Sequence, residues 1–205
     1  MEDPMPMILL ASRSPRRREL LEQVGIRFRV VEISVDESRF ADERPAAFVE
    51  RLARAKARQG AAEAGHGEIV LGADTTVTLD DDVLGKPDDE AHALAMLGQL
   101  SGRTHMVCTA IAVARDERVD SRVVTSRVRL RSIDDVERRA YWASGEPRGK
   151  AGAYAIQGLG AVFVEHLEGS YSNVVGLPLF ETVQLLRRFG VDTLAANALA
   201  GADRP

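Results

Sequence analysis

Short apolar runs alternate with stretches of helical periodicity along nearly the whole chain, and few folds accommodate that alternation. Strand-like runs cover 8–11, 27–33, 69–79, 105–114, 119–130 and 161–167. A 3.6-residue apolar period covers 15–24, 46–64, 88–100, 133–144 and 179–189. Helices interleaved with strands indicate an α/β protein. "RDERVD" reads as the turn of a hairpin, so the sheet is mixed rather than purely parallel. "DDD" at Asp80–Asp82 reads as a second turn, leading from Leu79 into a short segment that ends at Leu84. The expected domain is 7–192, followed by an Ala-rich tail, 193–205, that either frays or adds a helical turn.

Composition narrows the functional classes. With 205 residues and 45% hydrophobic content, the chain can bury a core without disulfides or metals. A net charge of −4 opposes a general nucleic-acid or anionic-membrane binder, so any cationic site must be local. Aromatic content of 5% leaves few platforms for stacking single-stranded bases. The single cysteine, Cys108, excludes an internal disulfide, and no apolar stretch approaches signal-peptide or membrane-span length. A cytoplasmic protein that binds neither nucleic acid nor membrane is expected.

Polar clusters fall at the ends of the apolar runs, where α/β sheets usually place ligands. "SRSPRRR" follows the first run, with Ser14 at the N-cap position and Pro15 in the first helical turn. The hydroxyls of Ser12 and Ser14, the helix N-terminus and the guanidinium groups of Arg16 and Arg17 suit phosphate; a solvated helix start is the plainer alternative. In "VLGADTTV" a carboxylate, Asp74, interrupts a β-branched run, against propensity. It either satisfies its neighbours or handles a metal or a water. Lys86 occupies a Gly-Lys-Pro corner that is not a Walker A loop, and Gln157 offers a donor and an acceptor, suited either to a nucleobase edge or to core backbone. Asp36 and Glu37 directly follow a strand-like run and are either candidate catalytic carboxylates or a solvated acidic turn. The four histidines lack zinc-ligand spacing and there is no Gly-x-Ser-x-Gly elbow, so the carboxylates are the better catalytic candidates.

Together "ASRSPRRRELL", "VDES", "RLARAKA", "LGADTTV", "LGKPDD", "LSGRTHMVCTA", "KAGAYAIQGLGAVFV" and "GSYSNVVGLPL" resemble, in order, the Maf family of nucleoside triphosphate pyrophosphatases. The resemblance implies an elongated α/β fold akin to inosine triphosphate pyrophosphatases: a mixed twisted sheet flanked by helices, in two lobes with a central cleft. It also implies hydrolysis of a nucleoside triphosphate to the monophosphate and pyrophosphate with Mg²⁺ or Mn²⁺, in a homodimer. By the same resemblance Asp74 is the proton acceptor, Arg16, Arg17, Glu37, Lys56 and Lys86 are charged cleft residues, and Arg16, Thr75 and Gln157 set specificity. Glu37, with Asp74, is placed to hold the cation. A carboxylate is a weak base at neutral pH, which leaves open whether Asp74 takes the proton or holds the metal. "YAIQG" and "GSYSNVVGLPL" look like the dTTP/UTP branch, because a glutamine amide can accept from N3–H and donate to O4 of uracil or thymine. The alternatives are a 7-methyl-GTP pyrophosphatase and a non-catalytic, nucleotide-binding regulator of septum formation.

Overall fold

The computed structural model describes residues 6–80 and 82–192. The expected tail, 193–205, and Asp81 of the "DDD" turn lie outside the described residues. In chain order the elements are β1 (Ile8–Ala11), α1 (Pro15–Gln23), β2 (Phe28–Val30), α2 (Pro45–Glu63), β3 (Val70–Leu79), β4 (Asp82–Leu84), α3 (Glu90–Leu100), β5 (Thr104–Arg115), β6 (Arg118–Leu130), α4 (Asp135–Ala143), β7 (Val164–Glu168), α5 (Tyr171–Val175) and α6 (Leu179–Arg187). Seven strands form one sheet in the order β2-β1-β3-β5-β6-β7, with β4 paired to β3. Strand β1 is parallel to β2 and β3, whereas β3–β4 and β6–β7 are antiparallel, so the sheet is mixed.

The chain divides into two compact units: Met1–Asp74, Ala110–Val123 and Gly176–Pro205 form the first; Thr75–Thr109 and Val124–Val175 form the second. In the first, all four residues of β1 are buried, as a parallel strand bonded on both edges requires. Its register sets Leu9 opposite Val70, Leu10 opposite Leu71 and Ala11 opposite Gly72. Helix α2 buries Val49, Leu52, Ala53, Lys56, Ala57 and Gly60, a stripe at helical spacing in which Lys56 is the one charged member. The helix backbone lies very close to the strand: a Cβ on Gly72 would come within 2.4 Å of the Ala53 carbonyl and 2.6 Å of the Ala57 nitrogen. A Cβ on Gly60 would meet Val70 at 2.7 Å.

In the second unit α3 and α4 carry conventional caps. Asp89 accepts from the His92 N–H, and Asp134 and Glu137 form a reciprocal capping box. These caps move the helix starts to Glu90 and Asp135, inside the stretches expected from periodicity. The expected strand at 161–167 also starts late, at Val164, because Leu159–Phe163 is a 3-10 turn. That turn is held by a carboxylate from elsewhere in the unit, which periodicity cannot reveal. The strand expected at 27–33 is shorter, Phe28–Val30. Helix α5 occupies the stretch expected to be a polar turn before the last helix.

Candidate active site

Strand β3 is buried along its ten residues except at two consecutive positions, Asp74 and Thr75, which are half-exposed. An aspartate within a largely buried strand runs against β propensity and calls for a reason beyond the strand itself. The units part between these two residues.

Asp74 faces helix α2 of its own unit. Lys56, 8% exposed, places Nζ 2.7 Å from Asp74 Oδ1 and 2.6 Å from Glu37 Oε1. One ammonium thus joins two carboxylates from two separate segments. The glycine at 72 makes this possible, since the close seat of α2 brings the next turn's lysine down to the strand. A buried lysine needs such partners, because taking the charge out of water without them would cost several kcal/mol.

The turn after β1 belongs to the same unit, and its arginines differ. Arg13 and Arg18 are exposed, Arg16 is half-buried and Arg17 is buried. The Arg17 guanidinium donates through Nε to the Gly176 carbonyl (2.8 Å) and through Nη1 to Ser12 Oγ (3.0 Å). Burial lowers its pKa, against the opposing attraction of Asp74 and Glu37. Burial likewise lowers that of Arg16, opposed by Glu19. A guanidinium stays charged at neutral pH despite such a decrease. Ser14 stands at the N-cap position, as expected, but its side chain makes no capping bond; its own N–H donates to Ser12 Oγ (3.3 Å). Ser12 therefore orders both the turn and Arg17.

In the second unit, Thr75 Oγ1 lies 3.0 Å from Thr109 Oγ1. Thr109 donates its single hydroxyl proton to the Asn173 carbonyl (3.0 Å), so Thr75 is the donor of the pair. Asn173, fully buried, donates through Nδ2 to the Val107 carbonyl and to Ser126 Oγ, at 3.0 and 2.9 Å. Lys86 is exposed, and the Gly85 carbonyl before it accepts from Gly152 N–H (3.0 Å). Gly152 has φ 68 and a Cβ there would press on Val77, so both conformation and space call for glycine. That bond joins the loop bearing Lys86 to the segment that leads into the loop bearing Gln157. Gln157 is exposed, which rules out the reading of it as a core glutamine.

The structure therefore brings Glu37, Lys56 and Asp74 into one contact set, Ser12 and Arg17 into another, and keeps Lys86 and Gln157 outward-facing. Sequence reasoning missed Thr109 and Asn173, which support Thr75, because their bonds span 34 and 64 residues. Cys108 is buried, and burial raises its thiol pKa, which makes it a poor nucleophile. No group of three or more His, Cys, Asp or Glu side chains suited to a metal occurs among the described residues. No helix among them is long and apolar enough to cross a membrane.

The chain is thus an α/β protein with a lysine-bridged carboxylate pair, one member midway along β3, and an ordered arginine turn at the carboxyl end of β1. The chain belongs to the Maf-like protein family, which matches residues 7–189. It is 52% identical to a dTTP/UTP pyrophosphatase of Alkalilimnicola ehrlichii over 91% of this chain and 95% of the other. It is 51% identical to one of Pseudoalteromonas translucida, over 89% and 96%. Identity to a third, from Vibrio cholerae, is 52% over 89% and 97%. A solved dITP/XTP pyrophosphatase from Mycobacterium abscessus aligns at a TM-score of 0.44 and 21% identity, over 61% of this chain and 74% of that one. That likeness is too loose to bear on function.

Proposed function

We propose that this protein hydrolyses dTTP and UTP to the monophosphate and pyrophosphate. The observation that carries the reading is the Asp74–Thr75 opening in β3, with Asp74 and Glu37 gathered on Lys56. Relatives at about half identity that bear the dTTP/UTP pyrophosphatase name support the same assignment.

The reaction consumes one water and breaks the α–β phosphoanhydride bond; the nucleoside keeps one phosphoryl group and pyrophosphate leaves. Arg16, Lys56 and Lys86 neutralise phosphate oxygens, with Ser12 and Ser14 as hydroxyl donors. Arg17, already bonded to Ser12 and Gly176, adds fixed positive charge beside Asp74 and Glu37. Asp74 Oδ1 is held by Lys56, which orients the carboxylate for the proton leaving the attacking water. Thr75 and Gln157 meet the base. The Gln157 amide accepts from N3–H and donates to O4, while a guanine edge, with adjacent N–H donors, would be better met by a carboxylate.

Glu37 and Asp74 fit a divalent cation, Mg²⁺ or Mn²⁺, because Lys56 draws two carboxylates, the hard oxygen donors such an ion prefers, to one place. Two carboxylates completed by water and substrate phosphates are the ordinary donor set for Mg²⁺. When bound, such an ion supplies charge neutralisation on phosphate oxygens and acidifies a bound water.

The test is a panel of UTP, dTTP and 7-methyl-GTP with Mg²⁺ or Mn²⁺, reading pyrophosphate against orthophosphate. Pyrophosphate from UTP and dTTP, abolished by chelation, is the expected result. A preference for the methylated purine, or orthophosphate from every substrate, would overturn the assignment.

A further inference from the structure

The two glycines of "QGLG" are absorbed neither by the phosphate chemistry nor by a dinucleotide fingerprint, yet each lies tight against a side chain of the 141–146 segment. A Cβ on Gly158 would fall 2.1 Å from Glu146 Oε2, and a Cβ on Gly160 would fall 2.6 Å from the Tyr141 hydroxyl. The Glu146 carboxylate accepts from Leu159 N–H through Oε2 (2.8 Å) and from Gly160 N–H through Oε1 (2.9 Å). Tyr141 donates its hydroxyl to the same Oε1 (2.6 Å) and accepts from Ala155 N–H (3.1 Å). Tyr141 is itself buried, its ring edge-on to Phe163 at 5.1 Å.

The backbone is therefore pinned two residues before Gln157 and two and three residues after it. None of these three bonds uses the side chain of Gln157, which is exposed. Burial works against ionisation of Glu146, but the bonds from Tyr141, Gly160 and Leu159 outweigh it and hold its pKa below the ordinary value. The acceptor is thus a carboxylate at neutral pH, the form that can take all three donors. The clamp ties three backbone N–H groups of one short loop to a single Tyr141–Glu146 pair. It is what a recognition loop needs if its apex is to stay in place against a ligand.

We propose that Glu146, braced by Tyr141, is a positioning residue for base recognition: it holds the Ala155–Gly160 loop rigid so that Gln157 meets the pyrimidine edge in one place. The inference rests on the base-reading role given to Gln157 above. A rigid apex cannot retreat from a group added at the ring nitrogen, whereas a loosened one can. The measurement is kcat/KM for UTP against 3-methyl-UTP, in which a methyl replaces the proton that Gln157 accepts.

Gln157→Ala should collapse the preference for UTP, removing both the acceptor and the obstruction. Glu146→Ala should lower that preference about tenfold, with the change in the KM values rather than in kcat. Glu146→Gln, which keeps the acceptor for Tyr141 and Gly160 but turns an amide toward Leu159 N–H, should lose about twofold to threefold. Should Glu146→Ala fail to fold, Glu146→Gln and Tyr141→Phe carry the test. A fall in Tm with the preference unchanged, while Gln157→Ala abolishes it, would reduce Glu146 to a structural residue and overturn the proposal. If Gln157→Ala also leaves the preference intact, the base-reading role itself fails and the proposal falls with it.

Discussion

The two units hold most of their functional side chains in different ways, Thr75 being the one in the second that is bonded through its own hydroxyl. In the first, Lys56, Asp74, Glu37, Arg17 and Ser12 are bonded to one another or to backbone. In the second, Gln157 and Lys86 project from loops whose backbones, not side chains, are restrained. The same contrast holds for buried ionisable groups. The first unit buries charge by pairing it, while the second buries His105 by keeping it neutral. The difference matches the work proposed for each. Phosphate chemistry is common to every nucleotide and can be assembled beforehand, whereas base recognition needs unspent donors and acceptors on a rigid support.

The contrast can be broken most directly at Asp74. Asp74→Asn should reduce pyrophosphate release about 10³-fold while sparing the fold, as followed by turnover and circular dichroism. Unchanged turnover would remove Asp74 from the chemistry.

The neutral burial of His105 predicts acid sensitivity in the second unit. Its ring accepts or donates through Nε2 to the Tyr154 hydroxyl at 2.8 Å, and burial lowers its pKa from 6.5 to about 4. The unfolded chain then takes up this proton first. The contribution is complete above pH 6.5 and is lost as pH falls toward 4, about 3 kcal/mol in total. Urea unfolding of His105→Gln should lack that slope between pH 6.5 and 4.

Gly72→Ala tests the seat of α2 on β3. The added methyl meets helix backbone, so stability should fall by about 1–3 kcal/mol, and activity should fall further as Lys56 is pushed from Asp74. Retained activity at reduced Tm would show that the Lys56 contact is dispensable.

The smallest effect is expected at Lys86, which is exposed. Lys86→Ala should raise KM about tenfold with Tm unchanged, the response of a side chain that binds substrate and supports nothing. A matching loss of stability would contradict that division of labour.

Most of the architecture was legible in the chain. The first strand and the α/β class followed from apolar period and turn residues, and the hairpin between β5 and β6 from "RDERVD", where Asp116 takes φ 50. The boundaries moved where a side chain intervened: Asp89 and Asp134 delayed two helices, and Glu146 turned 159–163 into a 3-10 segment. Among the candidate residues, Asp74 was conspicuous because a carboxylate interrupts a β-branched run. Lys56 gained its place only from resemblance, since one lysine in a helix rich in arginine and alanine carries no signal of its own. Glu146, Thr109 and Asn173 left none, as polar residues in ordinary surroundings.

By itself, then, the sequence determined most of the strands and helices, though neither α5 nor the 3-10 turn at 159–163, and which residue types stand at their ends, because those depend on local period, propensity and capping. Tertiary structure alone decided that Lys56 bridges Asp74 and Glu37, that Arg17 rather than Arg13 or Arg18 is buried, and that Glu146 crowds Gly158 while Tyr141 and the Ala155 backbone crowd Gly160. Each of those outcomes depends on groups far apart in the chain meeting within hydrogen-bond distance. Such meetings are set by how closely a helix backbone can approach a strand and by which buried polar atoms must be satisfied.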